Sequence, residues 1–227
     1  MSEFQKLKEK REKTSCAELA YQSIRSLILN GEIKENDLVS ENQIAAYLNM
    51  SRTPVREAVR RLEAERVLEV RKGSGTFLKP LTLKDIRNLF EVREHMEMLA
   101  AETALKHISD QDIQDLEEKL NAMLEDFRHG IKIEEARFSQ TDGEIHDMLI
   151  DRSENGYVKY LMDQIYFNVD RYRAISYAVS LDLEESTNQH LELLECMKKR
   201  DQEELQRMIR AHIRWSYQVL QEKLIQL

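Results

Sequence analysis

The sequence predicts a mainly α protein that combines an N-terminal winged helix-turn-helix with a C-terminal all-α antiparallel helical bundle. Apolar residues recur with a helical period along most of the 227 residues. Glycine and proline together number only eight, and aromatic residues make up 7% of the chain, which is typical of a helical protein. Residues 67–71 and 76–78 favour β-strands, and Gly73, Ser74 and Gly75 between them predict a hairpin.

Composition excludes several classes of protein. No apolar run approaches the ~18–20 residues that a membrane helix needs. The N-terminal residues MSEFQKLKEKREK are charged and lack the apolar region of a signal peptide. Cys16 and Cys196 are far apart in the sequence, which argues against a disulfide framework. We therefore expect a cytoplasmic protein.

Charge is distributed unevenly along the chain. Residues 1–79 contain 15 Lys and Arg against 12 Asp and Glu, a net charge of +3. The remaining residues contain 19 against 30, a net charge of −11. This asymmetry indicates a basic part that contacts nucleic acid and an acidic part with another role.

We divide the chain into four segments: a flexible charged arm (1–13), the winged helix-turn-helix (14–79), a linker (80–82) and the helical domain (83–227). In the second segment, helical spacing predicts a helix over 17–29, which Asn30 and Gly31 end. A second helix is predicted over 41–50. Ser40 and Gln43 have the spacing of a capping box at its start.

The next helix, SRTPVREAVRRL over 51–62, carries the main DNA-binding pattern. Ser51 can cap it, and Pro54 lies in its first turn, where a missing N–H costs little. One face is apolar, and the arginines that recur along another face are Arg52, Arg56 and Arg60, with Arg61 beside them. Such a helix suits a DNA major groove, although an isolated arginine stripe is more often a solvated surface. The surrounding order of helices and hairpin favours DNA binding.

Residues 20–80, AYQSIRSLILNGEIKENDLVSENQIAAYLNMSRTPVREAVRRLEAERVLEVRKGSGTFLKP, resemble the DNA-binding domain of the GntR family of bacterial transcription regulators. By position, the resemblance implies DNA contacts at Ser51, Arg52, Thr53 and Arg56, with Lys72 and Gly73 at the wing tip near the minor groove and backbone. We expect base readout from Arg52 and Arg56, and phosphate contacts from Arg60, Arg61 and Lys72. Two positions depart from the family pattern: Asn42 replaces a common arginine, and Arg66 replaces a common glycine.

Beyond Pro80 the pattern is helical throughout. Helices are predicted over about 82–107, 110–130, 132–151, 155–179, 183–199 and 202–225, so we expect six or seven helices in a bundle. Helical wheels place His95 and His129 on polar faces and His107 at a helix end, which predicts surface positions.

The other three histidines lie on apolar stripes of three different predicted helices. They are His146, His190 and His212, and Asp142 lies one turn before the first of them. A carboxylate on an apolar stripe is costly unless it is paired or bound to a metal. Each histidine alone is typical of a hydrogen-bonded core residue, but four convergent groups favour a divalent metal site, with Zn²⁺ or Ni²⁺ suiting three nitrogens and one oxygen.

Arg93 also lies at the centre of an apolar stripe. Glu97, one turn further on, is placed to neutralise it. Alternatively, Arg93 points into the metal cavity, where a small carboxylate could be held by the metal on one side and by the guanidinium on the other. The sequence leaves both interpretations open.

The segments EVREHMEMLAAETA, TDGEIHDMLIDRSEN, NQHLELLECMKKRD and RAHIRWS resemble the FCD ligand-sensing domain of the FadR subfamily, over about residues 83–225. By position, this resemblance implies that Asp142, His146, His190 and His212 are metal ligands and that Arg93 meets the effector. It implies a homodimeric regulator, most often a repressor, that binds a palindromic operator and responds to a small organic acid.

We therefore expect a DNA-binding regulator and no enzyme. Two alternatives remain. One is a DNA-binding regulator whose metal is purely structural. The other is a small metallohydrolase with an appended DNA-binding module, because three histidines and an aspartate with open coordination could activate water.

Overall fold

The computed structural model describes residues 15–178 and 182–225, and the chain divides into two compact units, Met1–Pro80 and Leu81–Leu227. The predicted arm over 1–13 lies outside the described residues. The first unit contains α1 (Cys16–Leu29), α2 (Glu41–Tyr47), α3 (Arg52–Ala64), β1 (Leu68–Arg71) and β2 (Gly75–Leu78). The second contains α4 (Leu83–Ala104), α5 (Asp110–Arg128), α6 (Glu135–Arg152), α7 (Gly156–Ala178), α8 (Leu183–Lys198) and α9 (Gln202–Ile225).

The first unit is a winged helix-turn-helix, as the sequence predicts. α3 packs against α1 and α2, and its apolar face closes the core. β1 and β2 form an antiparallel hairpin in which Leu68 lies opposite Leu78, and both side chains are buried. The buried apolar side chains include Ala20, Ile24, Val55, Val59 and Leu62. Burial of this face leaves the opposite face of α3 in solvent.

The three helices of the first unit differ in how their N-termini are capped. Ser15 Oγ accepts a hydrogen bond from Glu18 N, and Ser40 Oγ accepts one from Gln43 N, so both residues cap their helices. Ser51 occupies the predicted N-cap position of α3, but its hydroxyl makes no capping hydrogen bond. α2 ends at Tyr47, earlier than predicted, because Asn49 turns the chain with a φ of 51°.

At the end of α3, Arg66 occupies the position at which glycine is common in the family. Val67 N donates to Leu62 O at 2.9 Å and Arg66 N donates to Glu63 O at 3.0 Å, which is a Schellman motif. Arg66 holds the left-handed position of this motif with a φ of 59°. Glycine adopts that conformation without steric cost, whereas arginine adopts it only at a steric cost.

The second unit is a bundle of six helices among the described residues. Capping boxes start α4 (Thr82 with Asp85) and α5 (Ser109 with Asp112). α4 packs against α6, α7 and α9, and α8 packs against α5 and α9. These contacts bring the inner faces of α4, α6, α8 and α9 towards one another. No helix among the described residues is long and apolar enough to cross a membrane.

Replacing Arg66 with glycine is expected to raise the free energy of unfolding by about 1 kcal/mol, because glycine removes the steric cost of positive φ. Urea unfolding of the full chain, followed by circular dichroism, measures this change. A loss of stability would contradict the strain assigned to Arg66.

Arg200 provides a matched control. It holds the same position after α8, with a φ of 54°. Its guanidinium, however, donates to Leu105 O at 3.0 Å, to Ile108 O at 2.8 Å and to Asp110 Oδ1 at 2.6 Å. Arg200→Gly is therefore expected to destabilise the protein by about 1–2 kcal/mol, since the lost hydrogen bonds outweigh the relieved strain. The two substitutions should have opposite signs.

Candidate functional site

α3 presents its polar residues on one exposed face. Its apolar residues Val55, Ala58, Val59 and Leu62 are buried, which fixes the rotation of the helix against the core. The exposed residues include Ser51, Arg52, Thr53, Arg56 and Arg60. A face of guanidinium and hydroxyl groups can donate hydrogen bonds to base edges and phosphate oxygens.

Arg52 contacts one residue of α2. Its Nη2 lies 3.6 Å from Glu41 Oε2, and its side chain is 65% exposed. An exposed ion pair of this length contributes little to stability. The guanidinium therefore remains accessible to a nucleic acid, as does the Ser51 hydroxyl, which α3 does not use for capping.

Glycines shape the wing. Lys72 and Gly73 are exposed in the turn between β1 and β2, and Gly73 has a φ of 78°. Gly75 has a φ of 118°, a conformation that other residues rarely adopt, and a Cβ there would lie 2.6 Å from Cδ1 of the exposed Leu38, which would have to move. These glycines form a tight tip at which the backbone can approach another molecule closely.

Arg61 differs from its neighbours because it belongs to an intramolecular network. It donates to Glu65 Oε1 at 2.9 Å and to Glu18 Oε2 at 2.8 Å, and its guanidinium carbon lies 3.6 Å from the centre of the Tyr21 ring. Tyr21 Oη donates to Glu65, and burial together with this hydrogen bond raises the pKa of Tyr21 to about 12. Arg61 thus stabilises the junction of α1 and α3, whereas the sequence had suggested a phosphate contact.

The bundle brings together the four groups that the sequence singles out as metal ligands. One ligand atom each from Asp142, His146, His190 and His212 lies within 4.8 Å of the others. His190 Nε2 lies 3.3 Å from His146 Nε2 and 3.6 Å from Asp142 Oδ1. The rings of His190 and His212 have centroids 4.4 Å apart. The remaining histidines, His95, His107 and His129, are exposed as predicted.

These distances fit a single divalent ion. Two nitrogens bound at about 2.1 Å to one ion lie roughly 3.0–3.4 Å apart when the angle between them is tetrahedral or octahedral. The observed separation of the two Nε2 atoms falls in this range. Three imidazoles and one carboxylate are also a donor set that zinc and nickel accept. The residues present therefore fit a metal ion.

Neighbouring side chains orient the ligands. Glu97 Oε2 accepts from His146 Nδ1 at 2.5 Å, and Gln189 Oε1 accepts from His212 Nδ1 at 3.0 Å. Since both acceptors require a hydrogen on Nδ1, the Nε2 lone pairs of these two rings are left to face the centre. On Asp142, Oδ2 accepts from Arg173 Nε at 2.9 Å.

Electrostatics keep the ligands in the form that a metal needs. Burial, with Arg93 and His190 nearby, holds the pKa of His146 well below its usual value. Burial also lowers the pKa of His190, and together with the neighbouring imidazoles it lowers the pKa of His212. Burial alone would raise the pKa of Asp142, but His190 and Arg173 outweigh it, and the pKa falls. Neutral imidazoles and an ionised carboxylate are the ligating forms.

A small cavity of about 20 Å³ borders this centre on the side of Asp142 and His212. Arg93 lines it while also donating from Nε to Glu97 Oε1 at 2.5 Å, so its guanidinium is paired with Glu97 and also lies beside the cavity. Its Nη2 is buried and has no hydrogen-bond partner, and the same holds for Tyr172 Oη. Other lining residues are Phe138, Asp142, Arg173, Ser176, Ser186, His212, Ser216, Val219 and Leu220. The cavity thus offers several donors to an anion.

Sequence reasoning missed the residues that support the site from other helices. Arg173 and Tyr172 lie on α7, which carries no predicted ligand, and Gln189 precedes His190 by one residue. Contacts such as that of Arg173 with Asp142 join distant segments, so helical spacing carries no signal for them. One signal was available: Gly143 lets the Arg173 guanidinium approach, since a Cβ there would lie 3.3 Å from Arg173 Nη1.

Comparisons with known proteins agree with both units. The model of the FCD domain matches residues 88–214, and the model of the bacterial regulatory proteins of the gntR family matches residues 17–78. The HTH-type transcriptional regulator YdhC of Bacillus subtilis is 26% identical over 192 residues, which cover 85% of each chain. The gluconate operon transcriptional repressor of the same organism is 30% identical over 164 residues, which cover 72% of this chain and 65% of that one.

Among solved structures, E. coli McbR/YncC superposes with a TM-score of 0.78 at 18% sequence identity, covering 93% of this chain and 100% of that one. The matched families and relatives regulate transcription, so the metallohydrolase alternative was wrong. Because the FCD match spans more than half of the chain and the gntR match covers the first unit, the chain belongs to the GntR family of DNA-binding transcription regulators that carry an FCD domain.

Proposed function

We propose that this regulator is a repressor whose operator binding is modulated by a small carboxylate bound beside a divalent metal in the helical unit. One observation carries the proposal: the four ligand atoms lie within 4.8 Å of one another, and two of these residues, Asp142 and His212, line a cavity together with Arg93 and Tyr172, each of which keeps a buried polar atom without a hydrogen-bond partner. A cluster of this kind is typical of a ligand site rather than of a packed core.

The cavity favours an acid as the effector. Arg93 and Tyr172 are 2% and 3% exposed, and each keeps a buried polar atom without a partner. Leaving a buried donor unsatisfied costs about 1–3 kcal/mol, and a carboxylate would satisfy both atoms. The name of one relative, the gluconate operon repressor, also points to a carboxylate in that protein's regulation.

The metal ligands in this proposal are Asp142, His146, His190 and His212, with Zn²⁺ or Ni²⁺ as the ion. When bound, the ion supplies a second positive centre for the oxygen atoms of the acid. The chain itself holds the ligating atoms in place: Glu97 and Gln189 orient two of the imidazoles, and Arg173 fixes Asp142.

On the DNA side, we propose that the protein acts as a homodimer on a palindromic operator, with one winged unit on each half-site. Arg52 and Arg56 read bases, and the exposed hydroxyls of Ser51 and Thr53 contact DNA beside them. Arg60 and Lys72 contact phosphates, and Gly73 lets the wing approach the backbone. Differential affinity of the effector for two arrangements of the dimer would release the operator.

Arg52→Ala is expected to lose about 1–3 kcal/mol of discrimination between operator and random DNA, because the bidentate contact with guanine is removed. Competition gel shifts on an operator selected with the wild-type protein measure it. Arg60→Ala is the matched control: it should weaken binding uniformly and reduce the salt slope by about one. Full discrimination by the Arg52 variant would contradict the assignment of the reading face.

His190→Ala is expected to strip the metal from the purified protein, because it removes a ligand from the centre, while operator binding persists. Elemental analysis measures the metal content, with His95→Ala as a control at an exposed histidine. Wild-type stoichiometry in the His190 variant would refute the ligand set.

A thermal-shift screen of small carboxylates tests the effector. Acids that bind the folded state raise the melting temperature by mass action. Tyr172→Phe is expected to weaken binding of the best acid about tenfold, since one hydrogen bond is worth about 0.5–1.5 kcal/mol. If no acid shifts the metal-loaded wild-type protein, the metal is structural and the effector proposal fails.

A further inference from the structure

Glu97 connects two parts of the site that have different ligands. It lies on α4 one turn after Arg93 and is 0% exposed. Oε1 accepts from Arg93 Nε at 2.5 Å, and Oε2 accepts from His146 Nδ1 at 2.5 Å. One buried carboxylate therefore joins the arginine that faces the cavity to a histidine of the metal centre.

The contact with His146 affects how strongly that ring can bind a metal. A carboxylate behind an imidazole fixes the tautomer and raises the basicity of the opposite nitrogen. His212 has only the neutral amide of Gln189 in the equivalent place. The two imidazoles are thus supported by partners of different charge.

The contact with Arg93 sets how much of the Glu97 charge is available to His146. Arg93 Nη2 has no hydrogen-bond partner and lines the cavity, so an anion there shares the positive charge of the guanidinium. Glu97 then keeps more of its negative charge for His146. An acid bound at Arg93 and a cation bound at the histidines consequently favour each other through one side chain.

We propose that Glu97 is a positioning residue that couples the affinity for the metal to the affinity for the acid. The coupling is reciprocal, because each ligand changes the affinity for the other by the same factor. This inference rests on the proposed function, in which both ligands occupy the helical unit.

Titration of the metal-free full chain with Zn²⁺ or Ni²⁺, in competition with a chelator, tests the metal side alone. Glu97→Gln is expected to weaken metal binding by about tenfold to a hundredfold, the usual effect of losing such a partner. Gln189→Glu, which adds a carboxylate behind His212, is expected to tighten it. Metal affinity of the Glu97 variant within about twofold of wild type would overturn the inference.

A double-mutant cycle separates a relay through Glu97 from simple repulsion between Arg93 and the cation. Arg93→Met should change metal affinity by a factor that differs at least about threefold between the wild-type and Glu97→Gln backgrounds. Equal factors in both backgrounds would mean that Glu97 relays nothing. Far-UV circular dichroism of the metal-free variants checks the fold.

If Glu97→Gln alone fails to fold, the Arg93→Met/Glu97→Gln variant removes both buried charges together and is compared with Arg93→Met. The inference predicts at least about tenfold weaker metal binding in the double variant, and equal binding overturns it. Failure of the proposed function looks different, because the wild-type chain would then bind no metal, or no acid would shift the melting temperature of the metal-loaded wild-type protein.

Discussion

The helical unit depends on the rule that a buried charge must be paired. Among the buried charged side chains of the bundle, those of Arg93, Glu97, Asp142 and Arg173 surround the cluster of histidines. Their pairing is close to complete: Arg93 donates to Glu97, and Arg173 donates to Asp142. Breaking such a pair by removing one partner costs several kcal/mol. The pair of Arg173 and Asp142 joins α7 to α6, and the hydrogen bond between Glu97 and His146 joins α4 to α6. The metal ligands inherit this rigidity, since one partner in each pair contacts or belongs to the centre.

Because these side chains are paired, their charges sum to zero, and a bound ion or acid would change this net charge. The two arginines and the two carboxylates cancel, and the three imidazoles are neutral because burial depresses the pKa of each. A divalent cation added to this set leaves an excess positive charge in a site of low dielectric, and an acid restores the balance. In the proposed function, metal and acid therefore act as one electrostatic unit rather than as two independent ligands.

Much of the architecture could be predicted from local pattern. The spacing of apolar residues defined α1, α3 and the bundle helices, and Asp142 and His146 share a face because they are four residues apart. Contacts between distant segments carried no such signal, which is why Arg173 and Gln189 were missed. The intramolecular partners of Arg61 could not be predicted either. Arg61 lies beside the other arginines of α3, yet its guanidinium donates hydrogen bonds to Glu18 and Glu65. The tertiary context, rather than the spacing, decides which arginines of α3 pair within the unit.

The two units therefore use the same chemical groups in opposite environments. On α3, guanidinium groups are exposed and in large part solvated, so their interactions with a polyanion are strong only where counterions are released and geometry is bidentate. In the bundle, Arg93 is 2% exposed, and a single unpaired nitrogen there interacts far more strongly with an anion than any exposed arginine does. A small acid cannot compete for the exposed arginines against a nucleic acid of high charge density, but it can bind where burial has already removed the water. Burial, and not the number of positive charges, thus separates the proposed sensing site from the exposed arginine face of α3.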